Sequence, residues 1–185
     1  MKVKHKVTSM SCFWNREKID AVHEEGLLAL GKIVYYFQQL EDDIRQAVSF
    51  LIDPEDSTTA DIVVYQQSFK QLVNLADSLF AQYAEAKDKK RLEEWRLLLK
   101  RVRTAEHDRN KILHSTFGVS IDEPVAFIRS KITTESKAGF KEQIEALDPE
   151  TVDTYLETIA TIDITGFMGC VFPKWNVRGW RREQS

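Results

Sequence analysis

The chain has 185 residues and a formal net charge of −3, with 43% hydrophobic residues, 30% charged residues and a mean hydropathy of −0.37. This length predicts a single domain, and the composition excludes disordered, collagen-like and low-complexity proteins. No run of apolar residues is long enough to predict a membrane span, and no apolar core of a secretory signal follows the basic first residues.

The chain contains two cysteines, Cys12 and Cys170. They cannot form a disulfide framework, and they lack the paired spacing of a zinc site. We therefore expect small, buried or half-buried thiols rather than a metal or redox role, a reducing cytoplasmic location, and neither a metal nor a cofactor. His5 and His23 have no ligand partner at metal-binding spacing and are interpreted as surface residues.

Positive charge is concentrated in three segments. Residues 85–115 contain ten Lys/Arg and six Asp/Glu, a balance of +4, while residues 1–7 and 173–185 each carry +3. The remaining residues must then carry −13, because the whole chain carries −3. Such segregation can attract a polyanion locally, although solvated helix faces would give the same pattern.

A long segment with no glycine and one proline predicts the first helix. Glycine is absent from Lys32 to Phe117, and Pro54 is the one proline in that stretch. Apolar residues there recur in steps of three and four, as on one face of a helix. This face comprises Ile33, Phe37, Leu40, Ile44, Ala47 and Leu51.

A turn around Pro54 separates this helix from a second, for which Ser57, Thr58 or Thr59 can cap the first turn. One continuous second helix is predicted from a further apolar stripe, which would pack antiparallel on the first. The stripe comprises Ile62, Tyr65, Phe69, Leu72, Ala76, Leu79 and Tyr83.

A third helix is predicted from about Asp88 to Leu113. Its apolar residues, from Trp95 to Leu113, point around one direction, and Arg109 falls near the middle of that arc. An arginine on an apolar stripe is costly unless it meets a partner, an anion or a wet interface. Breaks of this kind in a local pattern tend to mark function.

Beyond Gly118 the sequence predicts one or two short strands or an irregular connection, around the run VAFIRSKI and Gly139. Asp148 and Pro149 then predict the cap and first turn of a last main helix, which extends through Ile162. The predicted fold is mainly α, a bundle of four to five helices with this irregular or short-strand insertion between the third and last main helices. Residues 1–185 form one domain, since no repeat or linker is found.

A short motif lies at the end of the third helix. Arg109 and Asn110 are followed by three residues and then His114, within EHDRNKILHS. This resembles the Arg-Asn-x-x-x-His motif of HEPN domains, small α-helical bundles of many prokaryotic toxins, defence proteins and RNA-cleaving effectors. The order of helices resembles that family over residues 24–115, whereas residues 116–185 align only loosely, as an extension.

The resemblance implies a metal-independent endoribonuclease that acts as a homodimer on RNA and leaves a 2′,3′-cyclic phosphate and a 5′-hydroxyl. His114 would transfer a proton, Arg109 would contact two phosphate oxygens, and Asn110 would orient the imidazole or bind substrate. A toxin or anti-phage role with an antitoxin or regulatory protein is a further expectation by analogy. Four nearby residues complete the set as substrate-binding candidates: Glu106, Ser115, Lys111 and Arg103.

Two alternatives remain open. Arg109 and His114 are five residues apart, about 140° around a helix, so they diverge unless the helix ends near His114 or a second subunit brings its own copy. Both could instead stabilise the end of the helix in an inactive interaction or RNA-binding module.

The C-terminal tail interleaves tryptophans and basic residues in PKWNVRGWRREQS. Trp175 and Trp180 could stack on bases while the arginines contact phosphates. The preferred interpretation is that the tryptophans dock on the bundle.

Overall fold

The computed structural model describes residues 16–55, 57–85, 88–120, 125–135, 139–172 and Trp175. These residues form a mainly helical fold with a small antiparallel sheet before the last two helices, which confirms the predicted fold class. The elements are α1 (Arg16–Ile52), α2 (Ser57–Tyr65), α3 (Phe69–Glu85), α4 (Lys89–Leu113), β1 (Thr116–Ser120), β2 (Ala126–Glu135), β3 (Gly139–Ala146), α5 (Pro149–Ala160) and α6 (Ile164–Val171).

Helix α1 is the longest element, with 37 residues, and it contributes to both parts of the core. The predicted stripe is confirmed: its first five members are buried and Leu51 is half-buried. The larger core cluster lies among α1, α3, α4 and α6, where Phe80 stacks on Trp95 with ring centroids 4.9 Å apart.

The predicted second helix is two helices, because a capping box interrupts it. Ser68 Oγ accepts from the Gln71 amide (3.4 Å), and Gln71 Oε1 accepts from the Ser68 amide (2.9 Å). The resulting turn changes the phase of the stripe, so Ile62 and Tyr65 are 63% and 69% exposed and their predicted burial is wrong. Val64 packs inward instead.

The turn also changes the direction of the chain. Helix α2 returns along α1, where the Val64 carbonyl accepts from Arg45 Nη1 (3.1 Å). Helix α3 then runs parallel to α1. The first residue of α3, Phe69, contacts Phe37 of α1, with 4.8 Å between the ring centroids. Closer to the C-terminus of each helix, Phe80 of α3 and Phe50 of α1 both contact Phe172. The predicted antiparallel packing therefore holds for α2 and is wrong for α3.

Helix α4 matches its predicted bounds. The Asp88 carboxylate caps it by accepting from the amides of Lys90 and Arg91, at 3.1 and 3.2 Å. Helix α4 contacts α3, α5, α1 and α6, and its buried residues are Leu92, Trp95, Leu99, Val102, Ala105 and Ile112.

The predicted strand region forms an antiparallel meander in the order β1-β2-β3, with Phe117 opposite Arg129 and Arg129 opposite Glu145. The cap prediction at Asp148 is confirmed, because its carboxylate accepts from the Thr151 amide (2.7 Å) at the start of α5. Helix α6 was not predicted; Asp163 caps it by accepting from the Gly166 amide (2.7 Å).

Trp175 of the tail packs on the bundle, whereas Cys170 is exposed. Trp175 contacts Phe50 (5.1 Å between ring centroids) and packs on the larger cluster, as the docking interpretation expects. Cys170 is exposed rather than buried or half-buried, so that prediction is wrong. Cys12, His5, Pro124 and Trp180 lie outside the described residues.

A second core cluster supports the end of α4. It joins Ile33 of α1, Ile112 of α4, Phe127 of β2, and Leu147 and Val152 near α5. The ring of Phe127, in β2, packs directly on α1 at Gly26. A Cβ atom at Gly26 would therefore overlap that ring. A Cβ at Gly31, in the same helix, would meet nothing within 4 Å.

We expect glycine-to-alanine substitutions at these two positions to change the free energy of unfolding in opposite directions. Gly26→Ala should lower the free energy of unfolding by about 1–3 kcal/mol, because the overlap outweighs the better helix propensity of alanine. Gly31→Ala should raise it by about 0.5–1 kcal/mol, because only the propensity acts. Urea unfolding of both variants measures this, and equal effects would contradict the close approach of β2 to α1.

Candidate functional site

The motif occupies the C-terminal end of α4, and the helix ends within it. Leu113 is the last helical residue, and His114 is the C-cap, with φ −95° and ψ 22°. The His114 amide donates to the Asn110 carbonyl (3.1 Å) and the Ser115 amide to the Ile112 carbonyl (3.0 Å), while the His114 side chain is exposed. The helix is regular up to Leu113, so the divergence of about 140° between Arg109 and His114 remains, and their side chains make no hydrogen bond to each other.

Arg109 is half-buried between α4 and α1. Its guanidinium carbon lies 4.6 Å from the centroid of the buried Phe37 ring, and Nη1 donates to Asn110 Oδ1 (2.8 Å). Nε is buried and has no hydrogen-bond partner. The ring and the amide thus hold the guanidinium in place without neutralising its charge.

The other described arginines are partnered differently. Among the residues that the structure describes, no carboxylate oxygen lies within 4 Å of the Arg109 guanidinium. Arg101 donates to the Thr161 carbonyl (2.7 Å). The remaining six have a carboxylate within that distance, and they are Arg16, Arg45, Arg91, Arg96, Arg103 and Arg129. Arg109 is therefore the half-buried guanidinium here that is best prepared to receive an anion.

The Asn110 side chain contacts Arg109 and not His114. Its side-chain oxygen accepts from Arg109, and its amide makes no hydrogen bond to the His114 side chain. With the oxygen occupied, the NH₂ group remains as a donor for a bound molecule. Asn110 thus restrains the Arg109 guanidinium through this hydrogen bond.

The four substrate-binding candidates divide into two kinds. Glu106, half-buried, has no hydrogen-bond or ion-pair partner among the described side chains, and Lys111 Nζ lies 4.0 Å from Glu145 Oε2. Ser115 Oγ donates to the Lys111 carbonyl (2.8 Å), and Arg103 contacts Asn74 (3.5 Å) and Asp77 (3.7 Å) on α3. Ser115 and Arg103 therefore already have contacts that stabilise the fold, and Arg103 lies nearly two turns before Arg109.

Arg129 was missed by the sequence analysis and holds the end of α4. It is 5% exposed, donates from Nη1 to the Lys111 carbonyl (3.1 Å), and pairs through Nη2 with Glu145. Arg129 is thus a second donor, beside Ser115, to this carbonyl in the last turn of α4, and it ties the sheet to the motif. The available signal was the alternation of β2, which places Arg129 on the same face as the buried Phe127.

The same contact gives a pH dependence of stability. The hydrogen bond from Arg129 lowers the pKa of the Glu145 carboxyl below its usual value of 4.5. A lowered folded-state pKa contributes stability above the unfolded-state pKa, and this contribution is lost as the pH falls through the folded-state value.

We therefore expect Glu145→Gln to destabilise the protein more at pH 7 than at a pH below the usual glutamate pKa of 4.5. Urea unfolding at both pH values measures the difference. The matched control is Glu157→Gln on the exposed face of α5, where no ion pair to a described residue exists. A Glu145→Gln effect that does not change with pH would contradict the Arg129 pairing.

The Tyr155 side chain of α5 lies close to this region. Burial and then the nearby Asp108 carboxylate raise the pKa of its phenol, so the hydroxyl stays protonated well above neutral pH. Tyr155 therefore adds no negative charge beside the motif.

Within the described ranges, His, Cys, Asp and Glu side chains form no group of three or more that could hold a metal ion. No described helix combines the length and apolar character needed to cross a bilayer.

In comparisons with known proteins, the chain matches no family model, no curated protein and no solved structure.

Proposed function

We propose that this protein is a metal-independent endoribonuclease of the cytoplasm, acting as a homodimer through Arg109 and His114. The observation that supports this most is the environment of Arg109: a half-buried guanidinium, held by Phe37 and Asn110, that has no carboxylate within 4 Å among the described residues. An exposed imidazole lies at the same helix end. An anion that can react, such as an RNA phosphodiester, suits this pair.

The proposed reaction moves one proton on each side of the phosphorus atom. The RNA 2′-oxygen loses its proton to a base and forms a bond to phosphorus, while the bond to the 5′-oxygen breaks and that oxygen takes up a proton. An imidazole can serve either step near neutral pH. The guanidinium offers two parallel N–H donors to the non-bridging oxygens, where negative charge accumulates.

A homodimer would supply two imidazoles, one as base and one as acid. The exposed side of α1 supports association, since Leu27, Leu28, Val34 and Tyr35 are 52%, 61%, 45% and 56% exposed. Leu27 and Val34 are seven residues apart, as are Leu28 and Tyr35, so the four side chains lie within about 120° of the helix circumference. Contiguous apolar surface of this kind is typical of protein interfaces.

The test uses labelled RNA with the purified protein in excess EDTA. We expect cleavage products that end in a 2′,3′-cyclic phosphate and a 5′-hydroxyl, and no cleavage of the same RNA with 2′-O-methyl groups. Cleavage that requires a divalent metal, or that cuts the 2′-O-methyl RNA, would overturn the proposed chemistry. Absence of cleavage would favour the inactive interaction or RNA-binding module.

A further inference from the structure

A groove with a volume of about 510 Å³ lies between α1 and α5, beside the start of β2; we call it the α1–α5 groove. Its floor is buried and carries no charge, and it is formed by Gly26, Phe127, Leu147 and Val152. On the α1 wall, Leu28 is 61% exposed. An apolar concavity of this size is typical of a binding site, and no described segment fills it.

The α5 wall of the groove is acidic. Asp153 lines the groove, and Glu150 and Glu157 lie within about 60° of it around the helix. Helix α5 contains no lysine or arginine. The α1 wall is mixed, since Glu25 and Lys32 both line it. Four carboxylates against one ammonium group leave the groove negative, so it favours an occupant with one apolar and one basic side.

The carboxylates that line the groove are available to such an occupant. The side chains of Glu25 and Asp153 are exposed, and neither has an ion-pair or hydrogen-bond partner among the residues that the structure describes. A basic segment would therefore gain these contacts without breaking an existing pair.

The first fifteen residues of the chain have the composition that the groove favours. They lie outside the described residues and end at Arg16, where α1 begins. Lysine occupies every second position from 2 to 6, and Val3 and Val7 lie between and after the lysines. This alternation is typical of a segment that presents basic side chains on one side and apolar side chains on the other. The basic residues are Lys2, Lys4 and Lys6.

The segment is also long enough to reach the groove. On α1 the groove extends from Val22 to Lys32, six to sixteen residues after Arg16, which is about 9–24 Å along the helix. Residues 2–9 precede Arg16 by seven to fourteen residues, and an extended chain of that length spans roughly 23–46 Å. The segment can therefore turn back at Arg16 and cover the whole groove.

We infer that residues 2–9 of this chain bind in the α1–α5 groove, with their apolar side toward its floor and their lysines toward the acidic wall at Asp153. The covalent link to α1 keeps the segment near the groove at an effective concentration of about a millimolar, so weak contacts are sufficient for binding. This inference concerns a surface that the proposed ribonuclease reaction does not use, and it does not rest on that reaction.

Binding in the groove would support the end of α4 from behind. The floor residues Phe127, Leu147 and Val152 belong to the second core cluster, which also contains Ile112 in the last turn of α4. A segment on this floor would thus cover the outer side of the cluster that holds the motif in place. We expect it to limit the access of water to that cluster.

The first test is limited trypsin digestion of the full chain, with mass spectrometry of the cuts after Lys4 and Lys6. The variant is Asp153→Lys, which reverses an exposed charge on the groove wall. We expect it to speed the initial cuts about fivefold, because the bound segment is protected and the reversal weakens its binding. The matched control is Glu93→Lys, an exposed position of α4 without an ion pair to a described residue, which should digest like the wild type.

Equal initial rates in the wild type and in Asp153→Lys would overturn the inference. Protection of the wild type that disappears on dilution would overturn it as well, because the segment would then come from a second copy. Thermal unfolding of each variant confirms that the helices are intact.

The second test uses a synthetic, fluorescein-labelled peptide of residues 1–15, with binding followed by fluorescence anisotropy. The full chain in which Lys2, Lys4 and Lys6 are all replaced by glutamate should bind the peptide at least about tenfold more tightly than the wild type, whose own segment occupies the groove. Adding Asp153→Lys to that variant should weaken the binding about fivefold. Equal binding of the peptide to the wild type and the triple variant, or binding to neither, would overturn the inference.

Discussion

Replacing His114 by alanine should lower the rate of RNA cleavage by about 10²–10⁴-fold, the usual contribution of a positioned general acid or base. The side chain is exposed and makes no hydrogen bond to a described residue, and its backbone amide, which caps α4, is retained in the variant. The fold should therefore be unaffected, and the loss should appear in the rate at saturating RNA. Single-turnover cleavage of a labelled oligonucleotide measures it.

The matched control for this variant is His23→Ala. His23 is an exposed histidine on α1, outside the proposed catalytic and binding groups. Its removal should leave the cleavage rate unchanged. Equal cleavage by the wild type and by both alanine variants would indicate that His114 is not the group that moves the proton.

Replacing Arg109 by methionine should separate a functional arginine from a structural one. We expect cleavage to fall by about 10²–10³-fold, since the donors to the phosphate are lost. The free energy of unfolding should change by less than about 1 kcal/mol, because methionine keeps the packing on Phe37 and removes a buried Nε that has no partner. Urea unfolding and single-turnover cleavage of the same preparation test both statements.

Arg109→Lys is the complementary variant. Lysine keeps the charge and loses the planar pair of donors, so its activity should stay well below that of the wild type. Full activity in Arg109→Lys would mean that a point charge is sufficient. Strong destabilisation of Arg109→Met with little loss of cleavage would mean that the arginine serves the fold, as in the inactive-module alternative.

The part of the fold that carries the candidate site was well predicted by local sequence signals. Asp88 and the apolar spacing of α4 set bounds that the structure confirms, and they place residues 109–114 at a helix end. The unusual position of Arg109 could also be predicted from the sequence, because a guanidinium on the apolar face of a helix breaks the pattern of that helix. Local hydrogen bonds and helical periodicity act over a few residues, and the sequence displays them directly.

The break between α2 and α3 shows how a local signal can be overlooked. Ser68 and Gln71 have the spacing of a capping box, but the apolar stripe on either side continues closely enough to suggest one helix. These bonds cap the start of α3, and α2 ends at Tyr65. As a result α3 runs parallel to α1, which brings Phe69 to the ring that lies under Arg109.

The sequence by itself determined the helical class, the stripe of α1, and the helix end on which Arg109, Asn110 and His114 follow one another. Only the tertiary structure decided that Arg129, eighteen residues beyond Lys111, would cap that end. It likewise decided that Phe127 would require a glycine at position 26 and that Arg109 would have no carboxylate among the described residues. Such pairings join distant segments through strand register and helix packing, and no short-range pattern in the chain encodes them.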